Sequence, residues 1–306
     1  MVASPQTTDR LGGSQRSAAV PADWPLASHS DFVRASGLTW HVQSIGDGPK
    51  IVMLHGAGSS THTWHGMLDV LTSGYQVVMV DLPGHGLSEP FSVGAYTLPR
   101  TAQALRACLK ALGVMPQAIV GHSAGAAIAL QLLLEDTDDL ERVPIFAINP
   151  ALLPFSGLAG VVFPVFAKFA AQSGLVRSLL ARRARDDRQL QRVIDGTGSV
   201  LNNAQLASYQ RLMRRPAHVR SVLAMMAGWD LHHLLPKLRR KPQDLMVWVT
   251  QGDRAVPADA TIDALQAVPS VTIEKLEGLG HLAHEERPEF FAHALLAPAK
   301  GTNNHA

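Results

Sequence analysis

Short, fully apolar runs recur along the chain, each the length of one buried strand, and helical patterns separate them. Leu38–Ile45 reads as a strand and is followed by the turn Gly46-Asp47-Gly48-Pro49. Ile51–Leu54, Gln76–Val80, Ala118–Val120 and Val143–Ile148 read as further strands. Between them, a helix is expected through Trp64 and Leu68. A second runs over about 98–112, with apolar positions three and four apart, and Ala124–Leu134 gives a third, rich in small residues. Unbroken apolar strands alternating with helices predict an α/β fold, with a mostly parallel sheet covered on both faces.

The rhythm stops at about residue 151. From there to about 235 no core strand is legible, and the segment reads as several helices. The alternation then resumes with strands at Leu245–Val249 and Val271–Leu276, and helices at Ala260–Ala267 and Arg287–Leu296. The expected organisation is therefore a tail over 1–22, a first core segment over 23–150, a helical cap over 151–235 and a second core segment over 236–298. The tail is rich in Ser, Ala, Gln and Gly and has no apolar h-region. It is expected to be disordered and not a signal peptide.

Composition narrows the function classes. The chain of 306 residues has an apolar fraction of 46%, enough for a sizeable core. Its net charge of +2 argues against a generally basic nucleic-acid binder. The one cysteine, Cys108, permits no internal disulfide, which suits a cytoplasmic setting. The longest apolar run, Gly157–Ala167, is too short to span a membrane. The charge is uneven: residues 151–240 hold 14 Lys and Arg against 4 Asp and Glu. Such a surface is either solvated or faces an anionic ligand, an acidic partner or an anionic membrane surface. Arg177, Arg182, Arg183, Arg185 and Arg188 are the candidates.

Three residues carry candidate chemistry. Gly121-His122-Ser123-Ala124-Gly125 fits the G-x-S-x-G pattern, at the point where a strand gives way to a small-residue helix. A serine hydroxyl needs a base, and the base needs an acid to orient it. Asp253 and His281 each follow a predicted strand, in the order Ser…Asp…His. His281 would take the Ser123 proton, and Asp253 would fix its tautomer. The amides of Ala57, in His55-Gly56-Ala57-Gly58, and of Ala124 are the candidate oxyanion donors. His55 itself reads as structural. Trp229, Met225 and Met226 either belong to the cap core or line an apolar substrate pocket. No metal site is expected. His281, His284, Glu285 and Glu286 lack the H-E-x-x-H order, and the adjacent His232 and His233 point apart on a helix. No cofactor is called for.

With these residues in place the chain resembles the α/β-hydrolase superfamily over roughly 32–297. Further segments narrow the resemblance: Asp23-Trp24-Pro25, Gly37–Gln43, His55–Trp64, Asp81–Gly86, Gly121–Ala127, Asn149–Phe155, Thr197-Gly198-Ser199, Met225–Leu231 and Gly278–Pro288. In these it is similar to the magnesium chelatase accessory proteins (BchO type) of bacteriochlorophyll biosynthesis. The resemblance implies an α/β-hydrolase fold with Ser123, Asp253 and His281 as catalytic triad. It also implies a role beside magnesium insertion into protoporphyrin, with a porphyrin as small-molecule ligand and chelatase subunits as partners. Three readings stay open. They are a serine hydrolase of an ester, thioester or amide, a porphyrin-binding delivery protein of the same fold, and a generic esterase or carbon–carbon hydrolase.

Overall fold

The computed structural model describes residues 20–92, 94–135, 140, 143–153, 187–240 and 244–297. Eight strands form one sheet: β1 (Ser30–Ala35), β2 (Leu38–Ile45), β3 (Lys50–Leu54), β4 (Gln76–Val80), β5 (Ala118–His122), β6 (Ile145–Ile148), β7 (Leu245–Thr250) and β8 (Val271–Leu276). Their order is β1-β2-β4-β3-β5-β6-β7-β8. β2 runs antiparallel to both β1 and β4, and every other pairing is parallel.

Successive side chains of a strand point to opposite faces, so each apolar run is divided between two cores. Val52 and Leu54 join one core, with Leu105 of α1 (Leu98–Leu112) and Ile128 of α2 (Ala124–Leu134). Ile51 and Met53 join the other, with Trp64, Trp248 and Phe291. That is why these strands read as continuous apolar stretches. The caps of α1 are legible too. The Thr97 side chain accepts from the Arg100 amide at its start, and Gly113 ends it in the left-handed region at φ 65°.

Among the described residues four helices lie between β6 and β7: α3 (Asp187–Gly196), α4 (Asn203–Met213), α5 (Pro216–Gly228) and α6 (Leu234–Arg240). Helices α7 (Ala258–Leu265) and α8 (Pro288–Leu296) complete the second part of the sheet layer. The expected tail over 1–22 falls outside the described residues except at 20–22. So do residues 154–186, which include Gly157–Ala167, Arg177, Arg182, Arg183 and Arg185. No helix among the described residues is long and apolar enough to cross a membrane.

Two elements differ from expectation. β1 is an extra edge strand, of sequence SDFVRA, with only Phe32 and Val33 buried. The helix expected through Trp64 is a 3₁₀ stretch, Thr61–Met67, followed by one α turn at Leu68–Leu71. The buried residues of that stretch include Thr61, His62 and Thr63, which serve polar contacts.

Candidate active site

Ser123 sits between β5 and α2 with φ 50° and ψ −111°, a conformation that L residues rarely adopt. Such strain costs about 1–3 kcal/mol and persists only where the surroundings impose it. Here the Ser123 amide donates to the Ile148 carbonyl at 3.0 Å, and the Ser123 carbonyl accepts from Ala151 at 3.1 Å. The motif's last glycine explains how α2 comes so close to the sheet. A Cβ on Gly125 would lie 2.0 Å from the Leu54 carbonyl oxygen. The strained turn between β5 and α2 is the local backbone geometry that the motif implies.

Asp253 and His281 meet. His281 Nδ1 donates to Asp253 Oδ2 at 2.6 Å, and both residues are buried. The other carboxylate oxygen accepts from the Ala255 and Val256 amides at 2.7 Å each. The acid is thus aimed from both sides. An imidazole held this way at Nδ1 presents a bare Nε2 that can accept a proton. Ser123 lies at the same edge, because its neighbour His122 donates from Nε2 to the His281 carbonyl at 2.9 Å. Among the described residues no hydrogen bond joins the Ser123 hydroxyl to His281.

The loop after β3 packs against the serine. A Cβ on Gly56 would stand 3.3 Å from Ser123 Cβ. Neither the Ala57 nor the Ala124 amide has an acceptor among the described residues. His55 is structural as expected: it donates from Nδ1 to the Gly56 carbonyl at 2.8 Å and accepts from the Leu82 amide at 3.0 Å. Met225 is 1% exposed and belongs to the main core. Met226 and Trp229 are half-buried. Among the described residues no three His, Cys, Asp or Glu side chains converge on a metal position.

The structure adds residues that the motifs do not reveal. Asn149, after β6, donates to the His281 carbonyl at 3.0 Å and to Thr250 at 2.9 Å. Ser199 accepts from the Leu282 amide at 2.8 Å, and the Thr197 carbonyl accepts from the His281 amide at 3.1 Å. Thr197-Gly198-Ser199 thereby clamps the histidine loop. A Cβ on Gly198 would lie 2.0 Å from the Gly252 carbonyl oxygen, so only glycine fits there. These three residues stood out as a motif, but their contact with the histidine loop was not legible.

Two of the basic residues of 151–240 have local work. Arg211 pairs with Asp23 at 2.8 Å, and the Arg215 guanidinium lies 6.0 Å from the Trp24 ring centroid. Together they fasten the Asp23-Trp24 segment to the inserted helices.

The sequence profile of the alpha/beta hydrolase family matches residues 51–294. The chain belongs to the alpha/beta hydrolase family. Within that family it is 39% identical over 270 residues to the magnesium-chelatase 30 kDa subunit of Rhodobacter capsulatus, covering 87% of this chain and 93% of that one. It is 23% identical to the 2-hydroxy-6-oxo-6-phenylhexa-2,4-dienoate hydrolase of Comamonas testosteroni, over 82% of this chain and 87% of that one. An esterase from Exiguobacterium antarcticum superposes with a TM-score of 0.70 at 18% identity, over 87% of this chain and 97% of that one. That likeness shows the shared hydrolase fold.

One buried acid of this alpha/beta hydrolase is unusual. Glu285 accepts from Thr63 Oγ1 at 2.5 Å and from Tyr209 of α4 at 2.6 Å. Burial pushes its carboxyl up to about 7, against the two hydroxyl bonds. The folded state therefore prefers the protonated acid. The stability this gives is present below about 4.5 and is lost as pH rises through about 7. Glu285→Gln keeps an acceptor oxygen and cannot ionise. It should match the wild type at pH 4 and exceed it at pH 8, by roughly 3 kcal/mol at most, in urea unfolding.

Proposed function

We propose that this chain is a serine hydrolase that acts as an accessory factor to magnesium chelatase in bacteriochlorophyll biosynthesis. The observation that carries the reading is the 2.6 Å Asp253–His281 bond set beside a serine held in a strained turn. Ser123 attacks an ester, thioester or amide carbonyl, and His281 takes its proton with Asp253 holding the tautomer. The Ala57 and Ala124 amides stabilise the oxyanion that forms. The inserted helices act as a cap over the site, with Trp229 and Met226 as its apolar side. The basic surface of the cap suits a propionate-bearing porphyrin. The chain works in the cytoplasm, with chelatase subunits and an anionic membrane surface as neighbours.

The relative's name as a chelatase subunit favours a second reading, in which the same fold binds and delivers a porphyrin without turnover. One experiment separates the two. A bacteriochlorophyll-making host lacking this gene is complemented with Ser123→Ala, and pigment and protein abundance are followed together. Alanine removes the hydroxyl and leaves the surrounding packing. Pigment synthesis should fail. Full pigment recovery with a stably expressed variant would leave the delivery protein standing.

A further inference from the structure

Helix α5 rests on the core along one stripe, since its buried residues are His218, Ser221 and Met225, three and four positions apart. One turn after His218, Ser221 accepts from the Tyr96 hydroxyl at 2.7 Å, and the same hydroxyl accepts from the Phe91 amide at 3.2 Å. The helix is thus seated on the segment before α1.

His218 does something different, because it bonds two separate core loops. The Gly86 amide donates to its Nδ1 at 3.3 Å. Its Nε2 donates to the Gly58 carbonyl at 3.2 Å. The two bonds together require a neutral ring with the proton on Nε2. Burial pulls its titration down to about 4, so the ring is neutral near pH 7. The ring is 1% exposed and meets His85 edge-on at a centroid distance of 5.1 Å. His218 comes from a helix far along the chain, yet its acceptor Gly58 is the residue next to Ala57. Gly58 has φ 84°, and Ser59 donates back to the Gly56 carbonyl at 3.2 Å. Ala57 and Gly58 are therefore the central residues of a tight turn whose outer carbonyl accepts from His218.

We propose that His218 is a positioning residue that, through the Gly58 carbonyl, holds the 56–58 turn so that the Ala57 amide faces Ser123. Seating of the inserted helix α5 then becomes a condition for a complete oxyanion site. The catalytic consequence rests on the hydrolase reading, whereas the hold on the turn does not.

Two amide substitutions take the two bonds apart. In His218→Gln the side-chain nitrogen replaces Nε2 and can still donate to Gly58. In His218→Asn the side-chain oxygen replaces Nδ1, accepts from Gly86 and cannot reach Gly58. His218→Phe removes both bonds. Hydrogen exchange over 56–61 reads the turn, and the second-order rate of fluorophosphonate labelling reads the site. His218→Asn and His218→Phe should speed exchange of the turn. They should also slow labelling by about tenfold to a hundredfold, the scale of a small misplacement of a catalytic group. His218→Gln should stay near wild type on both. A merely structural role would move the Gln and Asn variants alike, and that result would overturn the proposal. So would unchanged exchange in His218→Phe. If the wild type takes no label, the hydrolase reading falls, and exchange alone decides whether His218 holds the turn.

Discussion

Asp253→Asn should cut ester hydrolysis about 10⁴-fold while leaving the fold intact. The reason lies in which hydrogens the carboxylate receives. Asp253 Oδ1 takes the Ala255 and Val256 amides, and Oδ2 takes the His281 Nδ1 proton. Asparagine keeps an oxygen for the two amides and turns its NH₂ toward Nδ1. The ring must then carry its proton on Nε2, the atom that has to accept from Ser123. Turnover of p-nitrophenyl acetate gives the rate, and a melting curve close to wild type shows that packing is unchanged. A tenfold loss or less would mean that Asp253 does not set the tautomer.

The largest loss of stability is expected at Asp81, which no catalytic step uses. Its carboxylate is fully buried and accepts from His41 Nδ1 at 2.6 Å, from the Thr61 amide at 2.8 Å and from the Leu87 amide at 2.9 Å. Asp81→Ala strands all three donors in the core. Losing one partner of a buried charged set costs about 3–5 kcal/mol, so the variant should unfold at much lower urea or fail to accumulate. The pH dependence follows from the same contacts. Burial alone would raise the Asp81 carboxyl, but the His41 ring, His55 and the Leu87 amide outweigh it and hold it at about 2. A depressed acid stabilises the fold above its unfolded value of 3.8, and that stability is lost as pH falls through about 2. The loss amounts to about 2 kcal/mol. Urea titrations between pH 5 and pH 2 should show this fall in the wild type. Asp81→Asn, which fills the same space without a charge, should lack it.

Most of the sheet was legible because its strands are buried on both faces. Ile51–Leu54 and Val77–Val80 carry no polar residue that alternation would have to explain, and the parallel ladder follows. β1 escaped notice because an edge strand with two buried residues has almost no apolar signal. The 3₁₀ stretch escaped because Thr61 and Thr63 are buried for their hydrogen bonds and not for packing. At the site, Ser123, Asp253 and His281 were legible because each sits at a strand end with turn chemistry around it. Their supports were not. Asn149 reaches Thr250 across 101 residues, and Ser199 reaches Leu282 across 83, separations that no local pattern encodes. His218 belongs to the same class, since its partners Gly58 and Gly86 lie 160 and 132 residues away and are defined only by the fold.

The central claim is that Ser123 is an activated nucleophile. Intact-protein mass spectrometry after fluorophosphonate treatment tests it without knowledge of the substrate. The account predicts that the wild type gains a single phosphonyl adduct, mapped to the peptide that carries Ser123, and that folded Ser123→Ala gains none. A folded wild type that stays unmodified, or an adduct that persists in Ser123→Ala, would contradict it.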